Sequence, residues 1–126
     1  MAIIGIDVSK QKLDCAWLKE VEPVKVKSRV LENSPRGFET LIDWAVSHSG
    51  EHIQAIHFVM EATGIYHEAV AQRLYEAGAK VSVINPAHLK NYTKSQGRRS
   101  KTDKKDSIAL ARYGASHSLR LWEPEP

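Results

Sequence analysis

The sequence predicts an α/β fold: a mixed five-stranded sheet with helices on both faces. Three observations predict it. The chain opens on a run of apolar residues too continuous for a strand with one wet face. The two strand patterns that follow are joined by connections of only a few residues, which forces antiparallel pairing. Beyond residue 33 the hydrophobic period then switches back and forth between that of a helix and that of a strand. With 126 residues the chain suits one domain, large enough to bury a core without cross-links.

The elements follow in order. Residues 2–8 form the strand buried on both faces. Residues 9–12 are a polar turn, and 13–18 a second strand with Leu13, Cys15 and Trp17 on one side. After a turn at 20–23, Val24, Val26, Ser28 and Val30 alternate with Lys25, Lys27, Arg29 and Leu31, the pattern of a half-exposed strand near an edge. Ser34-Pro35 supplies an N-cap and a proline at the first helical position. Phe38, Leu41, Ile42 and Ala45 recur at helical spacing, and Gly50 ends the helix. Residues 53–60 make a fourth, mostly apolar strand, followed by the turn Ala62-Thr63-Gly64. Tyr66, Val70, Leu74 and Ala77 give a second helical stripe, which puts Tyr66 in the core, and Gly78 stops it. Residues 80–84 are a fifth strand. Asn85-Pro86 opens a short helix around 87–92, residues 93–102 read as a polar loop, and 103–117 as a last helix capped by Thr102. The order βββαβαβαα is that of ribonuclease-H-like folds.

Bulk properties narrow the function. Hydrophobic residues at 42% and charged residues at 26% describe an ordinary globular chain. Cys15 is the one cysteine, so no internal disulfide forms, in keeping with a reducing cytoplasm. No apolar run approaches the ~20 residues of a membrane span, and the opening residues lack the basic region of a secretory signal. The net charge of +3 is unevenly spread. Residues 86–105 hold seven cations (Lys90, Lys94, Arg98, Arg99, Lys101, Lys104 and Lys105) against the single acid Asp103. That segment is +6 and the remainder −3, an asymmetry suited to binding a polyanion such as nucleic acid.

Four carboxylates stand out. Asp7 lies near the end of the most buried strand and Glu61 directly follows the apolar fourth strand. A charge at such a place is costly unless it is paired or bound to metal. If these strands are adjacent and parallel, Asp7 and Glu61 face each other at their carboxyl ends, where sites form in open α/β sheets. Asp103 and Asp106 are three apart at the start of the last helix and share one face. Singly, each is as well explained as a turn former, helix cap or ion-pair partner. Together they form a set of hard oxygen donors suited to Mg²⁺ or Mn²⁺, and two such ions about 3.5–4 Å apart serve phosphodiester chemistry.

These residues also carry a resemblance. Gly5-Ile6-Asp7-Val8-Ser9-Lys10, Met60-Glu61-Ala62-Thr63-Gly64-Ile65-Tyr66 and Lys101-Thr102-Asp103-Lys104-Lys105-Asp106-Ser107 are similar to the three signature blocks of the DEDD insertion-sequence transposases, whose N-terminal domain is RuvC-like. Asn85-Pro86 and the cationic stretch 94–101 fit as well. The resemblance implies that Asp7, Glu61, Asp103 and Asp106 are a catalytic, metal-binding quartet using Mg²⁺, with Mn²⁺ as substitute. It implies DNA as substrate, a structured guide RNA as partner, a homo-oligomer, and a cytoplasmic, prokaryotic setting. It further implies a C-terminal domain bearing a nucleophilic serine. On this reading residues 1–118 are the catalytic domain and 119–126 a linker toward that further domain, and this chain alone does not carry out recombination.

The remaining polar and aromatic residues read as structural. His57 alternates with Phe58 on a strand, and Cys15 is expected to be buried and inert. Trp17, Trp44 and Trp122 suit packing or anchoring. Tyr92, among Lys90, Lys94 and Arg98, suits either base stacking or packing, and His67 has a minor claim to bind phosphate. Two other functions compete with this one: a nucleic-acid-binding module whose carboxylates hold only structural ions, and the first half of an actin-like sugar kinase. The second lacks a Gly-Thr-rich phosphate turn after Asp7, where Ser9-Lys10-Gln11 stands instead.

Overall fold

The computed structural model describes residues 1–95 and 106–125. Its sheet has the order β3-β2-β1-β4-β5, so β1 (Ala2–Val8) is the central strand, as its unbroken apolarity requires. β2 (Lys12–Glu20) pairs antiparallel with β1 and with β3 (Lys25–Glu32), completing the predicted meander. β4 (Ile56–Glu61) pairs parallel with β1 and with β5 (Lys80–Ile84). The edge position of β3 explains its exposed Lys25, Lys27 and Arg29, charges that discourage further strand pairing.

Helices cover both faces. α1 (Pro35–Ser49) and α2 (Glu68–Glu76) lie on one, where Phe38, Leu41, Trp44, Val70 and Leu74 pack on Ile4, Ile6, Phe58 and Met60. α3 (Pro86–Ser95) and α4 (Asp106–Ser116) lie on the other, where Leu89, Ala109 and Leu110 meet Val59, Ile84 and Ile3. The local signals act as read. The Ser34 hydroxyl accepts from the Gly37 amide at 3.2 Å, and Gly50 ends α1 in the left-handed region at φ 71°. Asn85 Oδ1 accepts from the Ala87 amide at 2.7 Å at the start of α3. Beyond α4 the chain returns along β5, where the Trp122 amide donates to the Val81 carbonyl at 2.7 Å and the Trp122 ring meets Tyr75 edge-on. Among the described residues no helix is long and apolar enough to cross a membrane.

Beside shifts of one or two residues at the ends of β2 and β3, three boundaries differ from the sequence reading for a visible reason. Ile53–Ala55 is a 3-10 turn rather than strand, because β4 begins where β1 offers it a partner, with Ile56 opposite Ala2. α2 starts at Glu68, not near Tyr66: two turns, closed by Tyr66 N to Thr63 O and Glu68 N to Ile65 O, precede it. Tyr66 therefore stays at the surface, 40% exposed, instead of joining the core. α3 continues through Ser95, so residues 93–95 are helical where a loop was expected. Tyr92 anchors that last turn by packing edge-on against Tyr113 of α4, and the rest of the expected loop, 96–102, lies outside the described residues.

Candidate active site

The site is built by register. Ile6 of β1 pairs with Met60 of the parallel β4, so Asp7 and Glu61 emerge side by side, one residue further on. Alternation along β1 places Asp7 on the same face as Ile3 and Gly5, the face that α4 covers. α4 approaches there very closely. A Cβ added to Gly5 would fall 2.0 Å from the Ser107 carbonyl oxygen and 2.6 Å from the Ala111 amide nitrogen. Only glycine admits this contact, and it brings Asp106, the neighbour of Ser107, to the carboxyl ends of β1 and β4.

The electrostatics record the meeting. The Asp7 carboxyl is raised from its ordinary value by lost hydration first, then by the charges of Asp106 and Asp14. Its side chain keeps an open side to solvent, so hydration is only partly lost, and water also screens the neighbouring charges. Glu61 is raised too, by burial at the end of β4 and then by Asp106 and Asp7. Among the described residues no three acidic or imidazole side chains stand at metal-ligand spacing. What Asp7, Glu61 and Asp106 share is like charge: Asp106 acts on both strand-end carboxyls, a repulsion that a hard cation would relieve. A cleft of about 300 Å³ beside them is lined by Glu61, Asp106, Leu89, Lys90 and Thr93.

Asp103 lies outside the described residues, as do Arg98, Arg99, Lys101, Lys104 and Lys105. Lys90 and Lys94 are exposed on α3, and Lys90 reaches the cleft. Two residues of the site escaped the sequence reading. Asp14 stands directly across from Asp7 in the β1–β2 ladder, with the buried Ser107 hydroxyl donating to its Oδ1 at 3.4 Å. A tight hairpin at 9–12 would have paired it with Asp7 by counting. Asn33 donates from its side-chain amide to the Ser9 carbonyl at 2.9 Å and the Tyr66 carbonyl at 3.0 Å, tying together the loops that follow Asp7 and Glu61. Nothing local in the sequence marks that role.

His57 and His67 are held by hydrogen bonds within the fold. Buried His57 has its Nε2 2.7 Å from Ser82 Oγ, and that hydroxyl donates to the Arg120 carbonyl at 2.8 Å. The hydroxyl's one proton is thus committed, which assigns the ring the Nε2–H tautomer. Burial, and then the charge of Lys80, lowers the His57 pKa and keeps it neutral. His67 Nδ1 accepts from the Thr63 amide at 3.2 Å within the loop after Glu61.

Comparison with known proteins places this geometry. The family model of the IS110-type DEDD transposases, described as Transposase, matches residues 4–126. The chain belongs to this transposase family. It is 37% identical over 122 residues to the pilin gene-inverting proteins of Moraxella bovis and of Moraxella lacunata, matching 97% of this chain and 37% of either relative's length. The fold of this DEDD transposase domain is RuvC-like, of the ribonuclease-H type. Thermus thermophilus RuvC in complex with a Holliday junction substrate superposes with a TM-score of 0.63 at 12% identity, covering 97% of this chain and all of that one. A second Thermus thermophilus RuvC structure gives 0.61 at 15% identity with the same coverage.

Proposed function

We propose that this domain is the carboxylate-bearing catalytic part of a transposase that cuts and rejoins DNA with the help of divalent cations. One observation carries the reading: Asp7, Glu61 and Asp106, from three separate elements, converge at the carboxyl ends of two adjacent parallel strands, where the charge of Asp106 raises the carboxyls of both Asp7 and Glu61. Family membership supports it independently.

In this reading Asp7, Glu61 and Asp106, joined by Asp103, hold Mg²⁺, for which Mn²⁺ substitutes. Such ions, when bound, activate an attacking oxygen and neutralise the leaving one of a phosphodiester. The chain's own part is placement. β1 and β4 fix Asp7 and Glu61, the Gly5–Ser107 contact fixes α4, and Lys90 at the cleft offers a cation to the phosphate backbone. Lys94, Arg98, Arg99, Lys101, Lys104 and Lys105 extend that cationic surface. Residues 1–118 are the catalytic domain, and 119–126 lead toward a second domain with the nucleophilic serine, in keeping with the greater length of the relatives. A structured guide RNA, assembly into a homo-oligomer and a cytoplasmic location belong to the same proposal.

The test uses the full-length protein and supercoiled plasmid DNA. Nicking should require Mg²⁺ or Mn²⁺ and disappear in Asp7→Asn, while plasmid binding persists. Undiminished metal-dependent nicking by Asp7→Asn overturns the assignment. Binding with no nicking by wild type under any divalent ion would instead favour a purely nucleic-acid-binding domain.

A further inference from the structure

The loop between Glu61 and α2 displays two adjacent apolar side chains to water. Ile65 is 72% exposed and Tyr66 40%. Single exposed apolar residues are common on any protein and need no explanation. This pair differs in being held out by a firmly built loop. The Thr63 hydroxyl donates to the Glu61 carbonyl at 2.9 Å, the Thr63 amide to His67 Nδ1 at 3.2 Å, the Tyr66 amide to the Thr63 carbonyl at 3.1 Å and the Glu68 amide to the Ile65 carbonyl at 3.2 Å. Asn33 reaches across from the β3–α1 connection to hold the Tyr66 carbonyl, and Gly64 takes the positive φ of 57° that the turn needs. A loop so fastened has lost most of its freedom before any ligand arrives, which is how binding surfaces keep the entropic cost of recognition small.

The sequence makes the exposure more telling. Tyr66 falls on the apolar stripe of α2, and starting that helix one turn earlier would turn the ring toward the core. The structure starts it at Glu68 instead. Departures of this kind from local sequence logic concentrate at functional positions.

We propose that Ile65 and Tyr66 contact the DNA at the carboxylate site by packing against a base that has left the stack. This rests on the proposed DNA-cleaving function. Ile65 is four residues from Glu61, so it lies at most about 14 Å along the chain from that carboxylate, the reach of roughly four stacked nucleotides at 3.4 Å each. The loop from 61 to 68 contains no Lys or Arg, so phosphates are not its target. In a regular duplex the base faces are hidden, and an apolar and aromatic pair gains area only where a base is unstacked or a step is wedged open. Asn33 is a positioning residue in this scheme, since its two donated hydrogen bonds lock the loop bearing the pair to the loop following Asp7.

The experiment compares two DNA probes on the full-length protein: a perfect duplex, and the same duplex with one unpaired 2-aminopurine. Wild type should prefer the second probe and quench its fluorescence by stacking. The double variant Ile65→Ala, Tyr66→Ala should lose about tenfold in affinity for the unpaired probe, with its affinity for the perfect duplex and its melting temperature unchanged. Tyr66→Phe, which keeps the ring, should retain both preference and quenching. A double variant that still prefers the unpaired probe, or a wild type with no preference, overturns the proposal. Mn²⁺-induced stabilisation, measured alongside, is insensitive to these substitutions and depends on Asp7, so a failure of the carboxylate assignment shows separately.

Discussion

Replacing Gly5 by alanine tests how the site is assembled. The new methyl carbon would lie 2.0 Å from the Ser107 carbonyl oxygen and 2.6 Å from the Ala111 amide nitrogen. Both are helix backbone, so no side chain can rotate away. To regain an ordinary contact near 3.4 Å, α4 must retreat from β1 by roughly 1.4 Å. Overpacking of this kind costs about 1–3 kcal/mol, and in a domain of this size that lowers the melting temperature by about 5–15 °C. The larger consequence is for Asp106, which moves with Ser107. A displacement of about 1 Å at a reacting centre costs on the order of 100-fold in rate. Gly114→Ala is the control. Its Cβ would meet Val59 Cγ2 at 2.7 Å and Ile3 Cγ2 at 3.3 Å, side-chain atoms two turns further along α4 from the carboxylates. Thermal melts with and without Mn²⁺, together with nicking by the full-length protein, measure both effects. Gly5→Ala should lose Mn²⁺-induced stabilisation and nicking, and Gly114→Ala should lose stability while retaining most of both. If Gly5→Ala melts within about 1 °C of wild type and still responds to Mn²⁺, the close approach does not position Asp106.

Three further outcomes are expected. Because the Asp7 and Glu61 carboxyls are raised in the metal-free fold, the protons they hold stabilise it fully below the ordinary carboxylate range near pH 4, and that stability is lost as pH rises through their folded-state values. Asp7→Asn should therefore stabilise the metal-free protein at neutral pH and lose its advantage on acidification. The oppositely shifted His57 withdraws stability as pH falls, but it is common to both proteins and cancels in the comparison. Equal stability of the two proteins from pH 4 to 8 would refute the charge repulsion. Asn33→Ala removes two donated hydrogen bonds and should cost about 2 kcal/mol, with Asn33→Asp worse because its carboxylate would face two carbonyl oxygens; unfolding by urea measures both. For binding, the double variants Lys90→Ala, Lys94→Ala and Arg98→Ala, Arg99→Ala should each flatten the salt dependence of DNA affinity by about one unit per lost phosphate contact. Unchanged slopes would remove those residues from the interface.

Much of this was legible because the signals are periodic or local. The unbroken apolarity of residues 2–8 gave the central strand, and Ser34, Gly50 and Asn85 marked helix ends through groups that act on their own neighbours. The pairing of Asp7 with Glu61 needed only that β1 and β4 be adjacent and parallel. What the sequence hid depends on partners distant in the chain. Tyr66 shares the period of α2, yet turns closed by Thr63 and Ile65 delay the helix, and a helical period carries no information about them. Asn33 acts through carbonyls 24 and 33 residues away. Asp14 is different, a local signal left unread: its place opposite Asp7 follows from counting back across the hairpin at 9–12. The end of α3 depends on Tyr92 meeting Tyr113, a contact between helices that no local rule supplies.

The strand order also dictates when the site can exist during folding. The meander of β1, β2 and β3 closes over short loops, so its loop-closure entropy is small and it can form early. β4 adds to β1 across roughly fifty residues, and α4 seats against Gly5 across about a hundred, closures that come at a greater entropic cost. Asp7 belongs to the first of these events, Glu61 to the second and Asp106 to the third. A chain caught part-way therefore holds the carboxylates apart. Their repulsion is met only after most of the apolar surface is already buried, and a half-folded molecule presents no assembled carboxylate site.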